Sequence, residues 1–148
     1  MITITVDTSQ LDKNLADFPA RFAEAQKRAL QAIGQLVASR ATQAFRTASF
    51  RPSPWAPRKP SKRDDGHPLL IKSGTLRQSI SWKLDGTDTV VIGSSQKYAI
   101  YHQGGTKNMP ARPFFPIDGH GKLTPSTAGK ISRTVERIYV DELGKSGG

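Results

Sequence analysis

Ile80-Ser81-Trp82-Lys83-Leu84-Asp85-Gly86-Thr87-Asp88-Thr89-Val90-Val91-Ile92 is the stretch on which the fold turns. Two runs rich in β-branched and aromatic residues flank Asp85-Gly86, whose residues both tolerate positive φ. That combination is a strong short-range signal for an antiparallel hairpin, which Gly93-Ser94-Ser95 should close. At the start of the chain Ile2, Ile4 and Val6 alternate with Thr3 and Thr5, the period-two pattern of a half-buried strand. The expected sheet is therefore small and mainly antiparallel.

Upstream of the hairpin lies the clearest helical periodicity. From Pro19 to about Phe45, apolar residues recur at three- and four-residue spacing: Phe22, Ala25, Ala29, Leu30, Ile33, Leu36, Val37, Ala41, Ala44 and Phe45. This predicts an amphipathic helix of about seven turns, with proline tolerated in its first turn. Its outer face is expected to carry Glu24, Lys27, Arg28, Gln31 and Arg40. Such a helix cannot bury its stripe alone; it must lie across a sheet or against a neighbouring subunit. Between the first strand and this helix, Asp7-Thr8-Ser9 supplies capping side chains for a short helix bearing Leu11 and Leu15.

The character changes over residues 49–68. Pro52, Pro54, Pro57, Pro60 and Pro68 break both periodicities, and Arg51, Arg58, Lys59, Lys62 and Arg63 crowd the same stretch around Trp55. A run this long without periodicity reads as an extended functional arm. Regular structure resumes at Leu69-Leu70-Ile71, followed by a turn and brief helical piece from Ser73 to Ser79. Beyond the hairpin, residues 98–102 suggest a short helix halted by Gly104-Gly105, and Phe114-Phe115 an extended segment or edge strand. Ser126-Thr127 can cap a last helix with Ile131, Val135, Ile138, Tyr139 and Leu143 as its stripe; Gly144 can end it, and residues 145–148 should fray. The expected architecture is α+β: a small antiparallel sheet with a long N-terminal helix and a C-terminal helix on one side, forming one domain over residues 1–148.

Composition narrows the chemistry. The 148 residues contain no cysteine, which removes disulfides, thiolate metal sites and cysteine nucleophiles. His67, His102 and His120 have no second histidine at metal-binding spacing, and His102 is read as structural, through hydrogen bonding. Asp118 near His120 has no nucleophile motif beside it. Gly104-Gly105-Thr106-Lys107 lacks the order of a phosphate loop. No catalytic, metal or cofactor site is nominated, and none of these patterns points to an enzyme. No run of eighteen apolar residues exists, and the start of the chain lacks the pattern of a signal peptide, so a soluble, cytoplasmically made protein is expected.

The formal net charge is +10 and the pI near 10.2. Such a field attracts polyanions: nucleic acid, anionic lipid or an acidic protein surface. Arg and Lys interleaved with Trp55 also make a composition suited to gripping phosphate and stacking bases. Equally, tryptophan and arginine dominate protein interfaces, and a single aromatic residue deep in the loop favours the interface.

The ordered blocks in the centre carry a family likeness. They are Trp55 followed by Pro57, LLIKSGTLRQSI from Leu69 to Ile80, VVIGSSQKYAIYHQGG from Val90 to Gly105, and MPARPFF from Met109 to Phe115. In sequence and spacing they resemble the phage virion morphogenesis family, the Mu-like group that includes tail completion proteins, over roughly residues 50–116. The resemblance implies a virion structural subunit of the neck or tail end: a homo-oligomeric ring, commonly sixfold, around the DNA channel and against adjoining neck and tail proteins. It implies DNA contact without sequence specificity, residence in the virion after assembly in the host cytoplasm, and no catalytic residues. A free nucleic-acid-binding protein using the basic arm is the alternative.

A head-to-tail ring needs two different patches on each subunit. The long helix and the arm are expected to supply one, the hairpin and the segment around Pro113 the other. The candidate interface or channel residues are Arg51, Trp55, Arg58, Lys59, Lys62, Arg63, Arg77 and Arg112. Within the motifs, Gly74 and Gly93 are read as turn glycines and Leu76 and Ile80 as core-facing. Tyr98, Tyr101 and Phe114 are expected to pack beneath the sheet, and Arg77 and Arg112 to meet acidic groups.

Overall fold

A computed structural model describes residues 3–7, 19–57 and 74–144. Strand β1 (Thr3–Asp7) is followed by helix α1 (Pro19–Ala44) and a single 3-10 turn at Ala48–Phe50. Then come the one-turn helix α2 (Thr75–Gln78), strands β2 (Ile80–Asp85) and β3 (Thr89–Ser94), helix α3 (Ala99–Gly104) and helix α4 (Pro125–Gly144). The expected helix at Leu11 and Leu15, its cap, the Leu69-Leu70-Ile71 segment, His67, the Leu143 side chain and residues 145–148 lie outside the described residues.

The hairpin forms where the Asp-Gly signal placed it, with Asp85 opposite Thr89 and Gly86 at φ 69°. β1 joins the other side of β3, opposing Ile4 to Ile92, so the sheet order is β1-β3-β2 and fully antiparallel. Gly93 lies inside β3, opposite Thr3 and Ser81, rather than in a turn. The ladder continues past it because the chain does not bend until after Ser94. Alternation along β2 and β3 sends Val90 and Ile92 to the buried face, with Trp82 and Leu84 packed beside them.

Helix α1 lies across that face. Its buried positions include Phe22, Ala25, Ala29, Leu30, Ile33, Val37, Ala41 and Ala44; at 100° per residue they cover about half the helix circumference. A stripe so wide serves two neighbours. One is the sheet, where the Trp82 ring sits so close to Gly34 that a Cβ there would fall 2.6 Å from Cδ2. The other is α4, which packs antiparallel along α1. The expectation of a sheet or a neighbouring subunit is answered within the chain: α1 is the middle layer between sheet and α4.

Two cations expected on the outer face of α1 hold α4 instead. Arg40 Nη1 donates to Ser126 Oγ at 3.0 Å and Thr127 Oγ1 at 3.3 Å, at the start of α4. Arg28 pairs with Asp141 and Glu142 at its end. These carboxylates hold the Arg28 guanidinium above its usual pKa, the Glu142 hydrogen bond first. α4 begins one residue earlier than its capping signal, at Pro125, so Ser126 and Thr127 fall in its first turn. Thr124 precedes the helix and donates Oγ1 to Thr127 Oγ1 at 2.9 Å. Its apolar residues Ile131, Val135 and Ile138 are only half-buried.

Candidate assembly surface

The motif blocks fold onto one another. Ser79, at the end of α2, donates Oγ to Leu76 O at 2.6 Å and lies 2.6 Å from Ser94 Oγ. One hydroxyl carries one proton, so Ser94 is the donor in that contact, and it accepts Gln96 N at 3.1 Å. The turn block is thereby tied to the end of β3. Leu76 is buried and Ile80 packs against the core, as expected of both.

Gln103 joins the next two blocks, a role the sequence reading missed. Its Oε1 accepts the backbone N–H of Phe114 and of Phe115, both at 3.0 Å, and Nε2 donates to Phe115 O at 3.4 Å. The segment forms no strand, because this side chain takes the place of a neighbouring strand. Pro113, which has no N–H, sits just before the clamped pair. Gly105 makes the reversal possible: its φ is 73°, and a Cβ there would lie 2.8 Å from Ala111 N. The returning chain then gives Arg112 N to His102 O at 2.7 Å.

The first part of the basic arm is docked. Trp55 is 9% exposed; its Nε1 donates to Pro113 O at 2.6 Å, and its ring meets Phe45 edge-on at 5.9 Å. Phe45, Phe114 and Phe115 continue the cluster. This corrects the expectation for Trp55: the ring is core, offered neither to a neighbouring subunit nor to a base. Arg51 stacks over it, Cζ 3.8 Å from the ring centroid. Its Nε donates to Ala44 O at 2.7 Å, closing the C-terminus of α1. Burial lowers the Arg51 pKa.

Among the described residues Arg112 forms no ion pair. Nε donates to Ala56 O at 3.0 Å and Nη2 to Pro57 O at 3.2 Å, pinning the arm to the segment before Pro113. Arg77 is half-buried in α2, and among the described residues no ion pair reaches it. Arg58, Lys59, Lys62 and Arg63 lie outside the described residues. Of the eight candidates, then, Arg51, Trp55 and Arg112 converge on one place, and what they build there is a joint within the subunit.

His102 stands beside that joint. Its ring meets Tyr98 edge-on at 5.8 Å, and its Nδ1 is buried without a hydrogen-bond partner. The side-chain hydrogen bond expected of it is not found at Nδ1; the ring packs on Tyr98, and the backbone carbonyl takes Arg112 N. Burial, then the charge of Arg112, lowers its pKa. Tyr98 and Tyr101 are not beneath the sheet: they are 38% and 53% exposed. Helical spacing explains it, since α3 turns Ala99 and Gln103 inward and the tyrosines outward.

A cleft of about 540 Å³ runs between Pro52, Gln103, Pro113 and Ile117. Asp118 is the ionisable residue lining it, and its Oδ1 already accepts His120 N at 2.8 Å and Lys122 N at 3.0 Å. Those backbone bonds, Lys122's first, lower its pKa, which makes it an anchored turn residue rather than a proton carrier. No group of three or more His, Asp or Glu able to hold a metal occurs among the described residues, and no described helix is long and apolar enough to cross a membrane.

An α+β protein whose loops are clamped by side chains, with no assembled catalytic group among the described residues, is the class these observations define. A model of the phage virion morphogenesis family matches residues 6–136, and the chain belongs to that family. The match reaches well beyond the central blocks, taking in α1 and much of α4. Its role is thus in the structure or morphogenesis of a phage virion. Neither the comparison with curated proteins nor that with solved structures returned a match.

Proposed function

We propose that the chain is a ring-forming subunit of the neck or tail end, completing the tail or joining it to the head, with six copies around the DNA channel. The observation that carries this reading is the family match across residues 6–136. The net charge of +10 suits a ring whose inner surface meets DNA through phosphate contacts, without reading bases. Head-to-tail closure needs two unlike patches, and the arm beyond Pro57 is assigned to one of them. Its cations Arg58, Lys59, Lys62 and Arg63 come next in sequence after the carbonyls that Arg112 holds, so the joint fixes the point where that stretch begins.

Native mass measurement of the purified protein, together with electron microscopy of virions, tests the reading. A sixfold ring at the neck or tail end is the expected result. A protein that stays monomeric and is missing from particles would overturn it. The free nucleic-acid-binding alternative keeps only its charge, because the ring meant to stack on bases is buried.

A further inference from the structure

We infer that the outward face of α3 is a docking surface for a different protein, one presenting an acidic rim around an apolar contact. The inference rests on the proposed virion role. Tyr98, Ile100 and Tyr101 are 38%, 51% and 53% exposed, and helical spacing places them on one continuous arc opposite the buried Ala99. Gly104 completes that arc, and a Cβ built on it meets nothing within 4 Å. No charge interrupts the arc. Exposed large apolar residues grouped on a single turn mark contact sites, and tyrosine is an efficient anchor there.

Charge identifies the partner. Lys97 immediately precedes the arc, and Lys107 lies in the turn just after α3; both are exposed. That turn is tied to the helix by Gly105 N donating to Tyr101 O at 2.8 Å. Between Asp88 and Asp118 the sequence has no carboxylate at all, so every charged residue of this stretch is basic. The proposed ring brings copies together elsewhere, through the arm; at this basic face an acidic surface of a different protein is a better match than another chain of net charge +10. Nucleic acid fits less well: Ile100 offers nothing to a base, and one side of the Tyr98 ring is taken by His102.

The test places a photo-crosslinking phenylalanine at Tyr101 of the full chain, in cells producing the phage that encodes it, with Ser132 as an exposed control. The expected result is an adduct at position 101, and none at 132, with a different virion protein through an acidic peptide. An adduct with a second copy, an adduct with DNA, or particles that contain the chain without any adduct would each overturn the inference. If the chain is missing from particles altogether, the proposed virion role and this inference fall together. As a second measurement, the Ile100→Ser/Tyr101→Ser double variant should keep its melting temperature while its incorporation into particles drops by about tenfold or more. Full incorporation of a folded double variant would also sink the idea.

Discussion

At the scale of single residues, Gln103 is the most consequential side chain that sequence patterns passed over. An amide in a short helix carries no pattern of its own; its importance comes from Phe114 and Phe115, whose buried backbone N–H groups have this acceptor. Gln103→Ala leaves two buried donors without it and should cost about 2–6 kcal/mol in urea unfolding, since each orphaned group costs about 1–3 kcal/mol. Gly34 offers a contrary case. Alanine favours a helix by about 1 kcal/mol over glycine, yet Gly34→Ala should destabilise, by roughly 1–3 kcal/mol, because its Cβ would strike the Trp82 ring. Pairing it with Trp82→Leu should recover part of the loss, a coupling that a double-mutant cycle reads directly. His102 sets a pH dependence. An unfolded histidine titrates near 6.5, and in the folded chain it takes its proton only at lower pH. Below 6.5 the unfolded state therefore binds more protons, and stability falls as pH drops from that value toward the depressed folded one. The melting temperature measured from pH 7 to 5 should show this decline, and His102→Gln should flatten it.

At the scale of elements, periodicity spoke clearly for α1, β2 and β3, whose apolar residues repeat with the geometry of the element itself. It was silent on which neighbour each face would meet. Arg28 and Arg40 looked like solvated positions, and both turned out to hold α4, because a helix buried on two sides has little outer face left. The half-buried stripe of α4 makes those polar contacts matter. In Arg28→Ala, hydrogen exchange should speed up across the last turns of α4 before it changes in β3, while an unaltered exchange pattern would show that apolar packing alone retains the helix. The arm was the least legible element. Prolines and cations suggested an extended functional arm through its whole length, but Trp55 anchors its first part to the core. Trp55→Ala should cost about 3–5 kcal/mol and show itself as a loss of folding, measured by thermal melting, rather than as a selective loss of assembly.

At the scale of the whole molecule, the same arm yields the opposite expectation a few residues later. Neutralising Arg58, Lys59, Lys62 and Arg63 together should leave the melting temperature within a few degrees and reduce particle assembly; normal particles would rule out an interface role for the arm. The sequence by itself determined the α+β class, the hairpin, the long helix and the family, because these depend on local spacing and on the order of short blocks. It determined too that no cysteine chemistry is available. Only the tertiary structure decided that α1 is a middle layer, that Trp55, Arg51 and Arg112 form an internal joint, and that Tyr98 and Tyr101 face outward. Each of those outcomes turns on which surfaces meet across long separations in the chain. Burial and hydrogen-bond satisfaction settle such meetings collectively, and no local pattern encodes them.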